Sequence, residues 1–188
     1  MLDEKSLEES KRVVTELVKD NRIIRPSAQQ EGFFLQKAID SLRVSKRLFE
    51  ISEDKNESID GYMWVVNTAY YSMFFAATSL LANLGKKIDL EVGIHRMTYH
   101  ALVYFFLVED SKLQKHFVEQ YHDVYDDAEQ LLQISQEKAR NMVENLGFEQ
   151  SKRKIFTYDV GMITERNKAL TSLKRAEEFL IETRKMLQ

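Results

Sequence analysis

Between Tyr62 and Leu84 the chain reads YMWVVNTAYYSMFFAATSLLANL, its longest near-apolar stretch. A run of that length suits a bilayer or the interior of a protein. Asn67, Thr68, Ser72, Thr78, Ser79 and Asn83 interrupt it, spaced as a polar minority on a helix. The spacing predicts a buried central helix rather than a membrane span. It also predicts that Trp64, Ala69, Met73, Ala76 and Leu80 are covered, because the helix is apolar nearly all round.

The rest of the chain supplies helices to cover it. One proline and six glycines in 188 residues are too few turn-formers for a β-sandwich or barrel. Residues 2–20 carry a modest helical stripe at Leu7, Val14, Leu17 and Val18. Arg25-Pro26-Ser27 breaks it, and Ser27 with Gln30 reads as a capping box for a second helix. Phe34, Leu35, Ala38, Ile39, Leu42, Leu48 and Phe49 form that helix's apolar face. The polar run 52–58 is a loop. The central helix follows over 58–84, with Gly85 placed as its C-terminal cap.

Residues 86–93, with Gly93 and two lysines, read as a loop. A fourth helix is expected over 94–108, then a break at 109–112, then a long helix to 146. That long helix turns Phe117, Tyr121, Val124, Ala128, Leu131, Leu132, Ala139 and Met142 inward. Residues 148–160 lack a helical period. A last helix over 161–187 turns Ile163, Leu170, Leu173, Ala176, Phe179 and Leu180 inward. No repeat of 20–50 residues argues for a solenoid. The expected fold is all-α: an up-and-down bundle of four to five core helices (27–188) with an additional N-terminal helix (1–26). Helix should make up about two-thirds or more of the chain, with no sheet beyond a short pair.

Cysteine is absent, which removes disulfides, thiolate metal sites and thiol nucleophiles, and fits a reducing compartment. The charged start MLDEKSLEESKR does not read as a signal peptide, so a cytoplasmic location with no membrane contact is expected. The net charge of -3 argues against a whole-surface nucleic-acid binder but leaves room for a local basic patch. Residues 109–129 hold seven acids and two lysines. Residues 151–175 hold seven cations against Asp159 and Glu165. These runs read as solvated faces, as an anion-binding C-terminal surface, or as complementary surfaces that meet in a dimer.

No glycine-rich phosphate loop and no Gly-x-Ser-x-Gly occur. Glu119 and His122 make one Glu-x-x-His unit without the second that di-iron bundles need. His95, His122-Asp123 and Asp159 can be written as a ligand set, but no apolar run flanks the pair. No metal site is expected, and His95, His100, His116 and His122 are read as surface or hydrogen-bonded residues.

The string 67-NTAYYSMFFAATSLLANLG-85, in which Ala-Tyr-Tyr-x-Met-Phe precedes small residues, leucines and a glycine, resembles the HEPN superfamily. It is most similar to the small prokaryotic branch of these nucleotide-binding helical proteins. Phe34 to Leu48 resembles that branch's first core helix. Gly93-Ile94-His95 resembles its histidine-bearing turn, Arg153 to Asp159 its Arg…Tyr-Asp segment, and 173–180 its closing helix. The likeness spans roughly residues 30–188.

The resemblance implies an often dimeric bundle with a groove for nucleotide or RNA. It also implies a toxin–antitoxin-like pairing with a small nucleotidyltransferase. Many HEPN proteins are metal-independent ribonucleases whose motif is an arginine, four to six residues, then a histidine. Here Tyr158 stands at the histidine spacing from Arg153, and Arg96 and His100 are only four apart on another helix. Tyrosine is a poor base at neutral pH. The reading is therefore a non-catalytic nucleotide- or RNA-binding module, without cofactor, whose ligand-binding residues are Lys152, Arg153, Lys154, Tyr158 and His95. The alternatives are a ribonuclease with a divergent site and a purely structural or interaction bundle.

Overall fold

A computed structural model describes residues 2–57, 59–109, 113–146 and 158–188, with the side chains among them outside 134–164. The elements are α1 (Glu4–Lys19), β1 (Ile23–Ile24), α2 (Gln30–Glu53), α3 (Tyr62–Asn83), β2 (Lys87–Ile88) and α4 (Ile94–Val103). A π-helical turn (Tyr104–Glu109), α5 (Lys115–Leu146) and α6 (Tyr158–Met186) follow. The protein is an all-α bundle carrying one two-stranded antiparallel pair, β1 with β2.

Helix α3 is the axis of the bundle, packed against α2, α4, α5 and α6. It is long and apolar enough to cross a bilayer, yet 72% of its most apolar window is buried inside the protein. Its small residues let α2 approach closely. Ser45 Oγ donates to the Val65 carbonyl (2.9 Å), Ser72 Oγ to Ala38 (2.8 Å) and Ser79 Oγ to Glu31 (2.9 Å). These three bonds recur every seven residues on both antiparallel helices, the period that keeps one seam facing a neighbour. Each buried hydroxyl is thereby satisfied across the seam rather than left to cost stability.

Ala69, Met73, Ala76 and Leu80 are buried, as their positions predict. Trp64 is not: it is 54% exposed. Four neighbouring helices still leave one strip of α3 open, and Trp64 and Tyr71, seven residues apart, both lie exposed. In α5 the inward stripe is Val118, Tyr121, Val124, Ala128 and Leu131. Leu132 faces out, because the stripe advances three or four residues at a time and Leu131 already fills that turn. Phe117 and Leu170 are only half-buried. Leu173, Ala176, Phe179 and Leu180 are inside, while Ile163, Ala139 and Met142 lie outside the described side chains. Helix α6 begins at Tyr158, three residues earlier than its apolar period suggests.

Helices α1 and α3 end in the same way. Asn21 (φ +53°) and Gly85 (φ +73°) adopt the left-handed conformation after each helix. Around them run the paired bonds of a Schellman cap: Asn21 N–H to Val18 O and Arg22 N–H to Leu17 O, then Gly85 N–H to Ala82 O and Lys86 N–H to Leu81 O. Both caps turn the chain directly into β1 and β2. The pair therefore ties the end of α1 to the end of α3. The expected capping box is half formed, with Gln30 Oε1 accepting from Ser27 N–H at 2.9 Å.

The oppositely charged runs meet within one chain. Arg175 pairs with Asp123 (3.0 Å) and Lys168 with Asp127 (2.9 Å) along the α5–α6 contact. Arg166 forks onto Glu53, with Nε at 2.8 Å and a terminal nitrogen at 2.5 Å, and Tyr62 Oη donates to the same carboxylate. The bonds from Arg166 and Tyr62 hold Glu53 below the usual carboxylate range. That cluster locks α6 against the α2–α3 turn.

Candidate functional site

A second packing region lies where α1, α4 and α5 converge. It begins at Gly93, whose φ of +75° lets the chain turn sharply into α4. Arg96, Tyr99 and His100 follow at helical spacings that put all three on one face. From α5, His122, Tyr125 and Glu129 face them at intervals of three and four. From α1 come Ser6 and Glu9. These side chains line an open cavity of about 390 Å³. A smaller recess of about 170 Å³ shares Ser6, Tyr99 and His122 and extends to Leu2, Glu119 and Asp123.

The walls are set by hydrogen bonds. Asp3 caps α1, accepting from both the amide (2.8 Å) and the hydroxyl (2.6 Å) of Ser6. Leu2 is buried, and its amide donates to Glu119 at 2.9 Å, which pins the start of α1 to α5. Arg96 reaches Glu9 at 3.2 Å, and His122 Nδ1 lies 2.9 Å from Asp126. Tyr99 meets His122 edge-on at 5.0 Å and stacks beside Tyr121 at 6.2 Å. Tyr125 Oη donates to Glu129 at 3.2 Å.

His100 is the buried member, 5% exposed. Its Nδ1 lies 3.0 Å from Ser10 Oγ, and Ser10 Oγ sits 2.9 Å from the Ser6 carbonyl. A carbonyl can only accept, so the single Ser10 proton goes there. Ser10 must then accept from His100, which places the imidazole proton on Nδ1. Burial, partly opposed by Glu9, depresses the His100 pKa and keeps the ring neutral. Nε2 therefore carries a lone pair, and it has no partner among the described residues. Burial also pushes the Tyr99 hydroxyl up to about 12, with Asp126, Glu119 and Glu9 adding to the shift. Burial raises Asp126 too, although His122 opposes it.

Of the residues singled out from sequence, His95 lies elsewhere. It is half-buried on α4, its ring 4.3 Å from Phe74 and its Nδ1 2.7 Å from Tyr70 Oη. Burial lowers its pKa. Lys152, Arg153 and Lys154 lie outside the described residues, and Tyr158 opens α6 with its side chain likewise outside them. No group of three or more metal-ligating side chains forms among the described residues. Sequence reasoning missed Ser6, Glu9 and Ser10, since α1 reads as an appendage. The four-residue interval from Arg96 to His100 was the available signal for α4.

No protein-family profile matches the chain, and no curated protein matches it.

Proposed function

We propose that this protein is a HEPN-like, nucleotide- or RNA-binding helical module that forms a homodimer and works with a small nucleotidyltransferase partner. The observation that supports a ligand site is the convergence of Arg96, His122, Tyr99 and Tyr125 on one cavity. Its volume falls within the range of small-molecule sites. A guanidinium fork suits a phosphate, and tyrosine rings suit a base. Arg96 already lies on Glu9, and Glu129 adds a second carboxylate. That balance opposes a run of phosphates and favours one base with one phosphate. For a longer strand, Lys152, Arg153, Lys154 and Tyr158 would supply further phosphate contacts.

The test is titration of a labelled mononucleotide and a labelled single-stranded RNA against three proteins. These are the wild type, Arg96→Ala, and a Lys152→Ala, Arg153→Ala, Lys154→Ala triple variant. Loss of a charge-assisted contact at Arg96 should weaken the mononucleotide about tenfold or more. The triple variant should weaken only the RNA and flatten its salt dependence by about 2 in log–log slope. Absence of binding to either ligand at low salt overturns the proposal and leaves the interaction-bundle reading.

One observation favours a second reading, a metal-independent ribonuclease. Arg96 and two histidines of different environment, buried His100 and carboxylate-paired His122, line a single cavity. A cation with two imidazoles is a working set for proton transfer at a phosphodiester. Cleavage of single-stranded RNA in the presence of a chelator, abolished by His122→Ala, would establish it.

A further inference from the structure

Donors and acceptors both line the cavity, and three of its groups only accept. Glu9 and Glu129 present carboxylates, and Asp126 sits on His122 at the rim. His100 adds the one acceptor with no surface of its own: an Nε2 deprived of solvent and without a partner among the described residues. Its lone pair is fixed there by the chain from Nδ1–H to Ser10 to the Ser6 carbonyl. A buried acceptor left empty costs stability, and an incoming N–H recovers that cost. A carbonyl oxygen brought to the same place would set two lone pairs against each other.

We infer that this cavity selects planar ligands carrying an exocyclic amino group, with His100 Nε2 as the acceptor that reads it. Resting on the nucleotide reading above, this makes the ligand an amino-bearing base, such as adenine or cytosine, rather than its keto counterpart, hypoxanthine or uracil. Ser10 is a positioning residue: it holds the imidazole proton on Nδ1 and so decides that Nε2 accepts. Arg96 supplies the phosphate contact and does not distinguish the bases. Sites built to hydrogen-bond a donor discriminate strongly against analogues lacking it, because the protein group is then left unpaired.

The experiment compares two isosteric pairs, adenosine against inosine monophosphate and cytidine against uridine monophosphate, by calorimetric titration of the full chain. Adenosine with no phosphate forms a third arm that separates base from phosphate recognition. The expected result is at least about tenfold tighter binding of each amino member, about 1.4 kcal/mol. The same preference should persist, at weaker overall affinity, in Arg96→Ala. Ser10→Ala frees the imidazole proton to move to Nε2, so the preference should collapse or reverse. The imidazole nitrogen chemical shifts would report that tautomer change directly. His100→Phe should reduce the preference below about twofold. The comparison of isosteric ligands needs no variant, so misfolding of either substitution leaves the inference testable. Equal binding of amino and keto members by the wild type overturns this inference and leaves the nucleotide reading standing. Failure of every nucleotide to bind overturns both.

Discussion

The α2–α3 seam and the α1–α4–α5 cleft are built from the same helical geometry, yet one closes and the other stays open. In the seam the facing positions are small, namely Ala38, Ser45, Ala69, Ser72, Ala76 and Ser79, all buried. Backbones approach until hydroxyls reach carbonyls across the gap. In the cleft the facing positions are Tyr99, Arg96, His122 and Tyr125, large side chains that line a cavity instead of meeting in a close seam. Dense packing of small residues leaves no space for a guest. In the cleft the polar tips turn to Glu9 of α1 or to carboxylates on their own helix, not across from α4 to α5. Stability should therefore reside in the seam, and binding in the cleft.

The most severe way to break this contrast is a charge in the seam. Met73 is 0% exposed at the middle of α3. Met73→Asp should abolish cooperative folding, since an unpaired buried carboxylate costs several kcal/mol. A soluble variant with an unchanged melting curve would show that α3 is not the axis.

A gentler pair sharpens it. Ala76→Leu inserts bulk where nothing can move and should cost about 1–3 kcal/mol, lowering Tm by several degrees. His122→Ala in the cleft removes only a partly exposed pair with Asp126 and should cost about 0.5 kcal/mol or less while reducing ligand affinity. Thermal melts of both variants decide the matter, and equal losses would erase the distinction.

The two Schellman caps give a smaller effect. Gly85→Ala forces a side chain into the left-handed region and should cost about 1 kcal/mol. Asn21→Gly, in the same conformation at the end of α1, should be neutral or slightly stabilising. Denaturant midpoints measure both.

The smallest expected effect is a pH dependence of stability. Burial holds His95 and His100 below the ordinary value of 6.5. The unfolded chain thus takes up protons before the folded one. Their contribution is complete above pH 6.5 and is lost as pH falls from there through the depressed native values. Glu53 acts in the same direction only at lower pH, below the ordinary carboxylate value of 4.5. A series of melts from neutral to mildly acidic pH should show Tm falling, and His100→Gln should make the fall shallower.

Much of this architecture is written locally. Apolar period locates each helix, and the scarcity of proline and glycine forbids a sheet-based alternative. Gly85 is legible as a cap because few other residues tolerate its conformation. Same-face intervals, Arg96 to His100 and His122 to Tyr125, are legible too. These signals arise within one helix, from contacts a few residues apart.

What lies beyond them is which faces meet. Nothing in residues 4–19 announces that Glu9 would lie on Arg96, or Ser10 on His100, some ninety residues away. Trp64 looks like core by composition and is exposed because no neighbour among the described residues covers that strip of α3. The lysines and arginines of α6 look like a free anion surface, yet Lys168 and Arg175 are paired with Asp127 and Asp123 of α5. Periodicity fixes the direction of a side chain around its own helix axis. Only the assembled bundle decides whether that direction ends in water, in another helix, or in a cavity, since that depends on packing between segments distant in the chain.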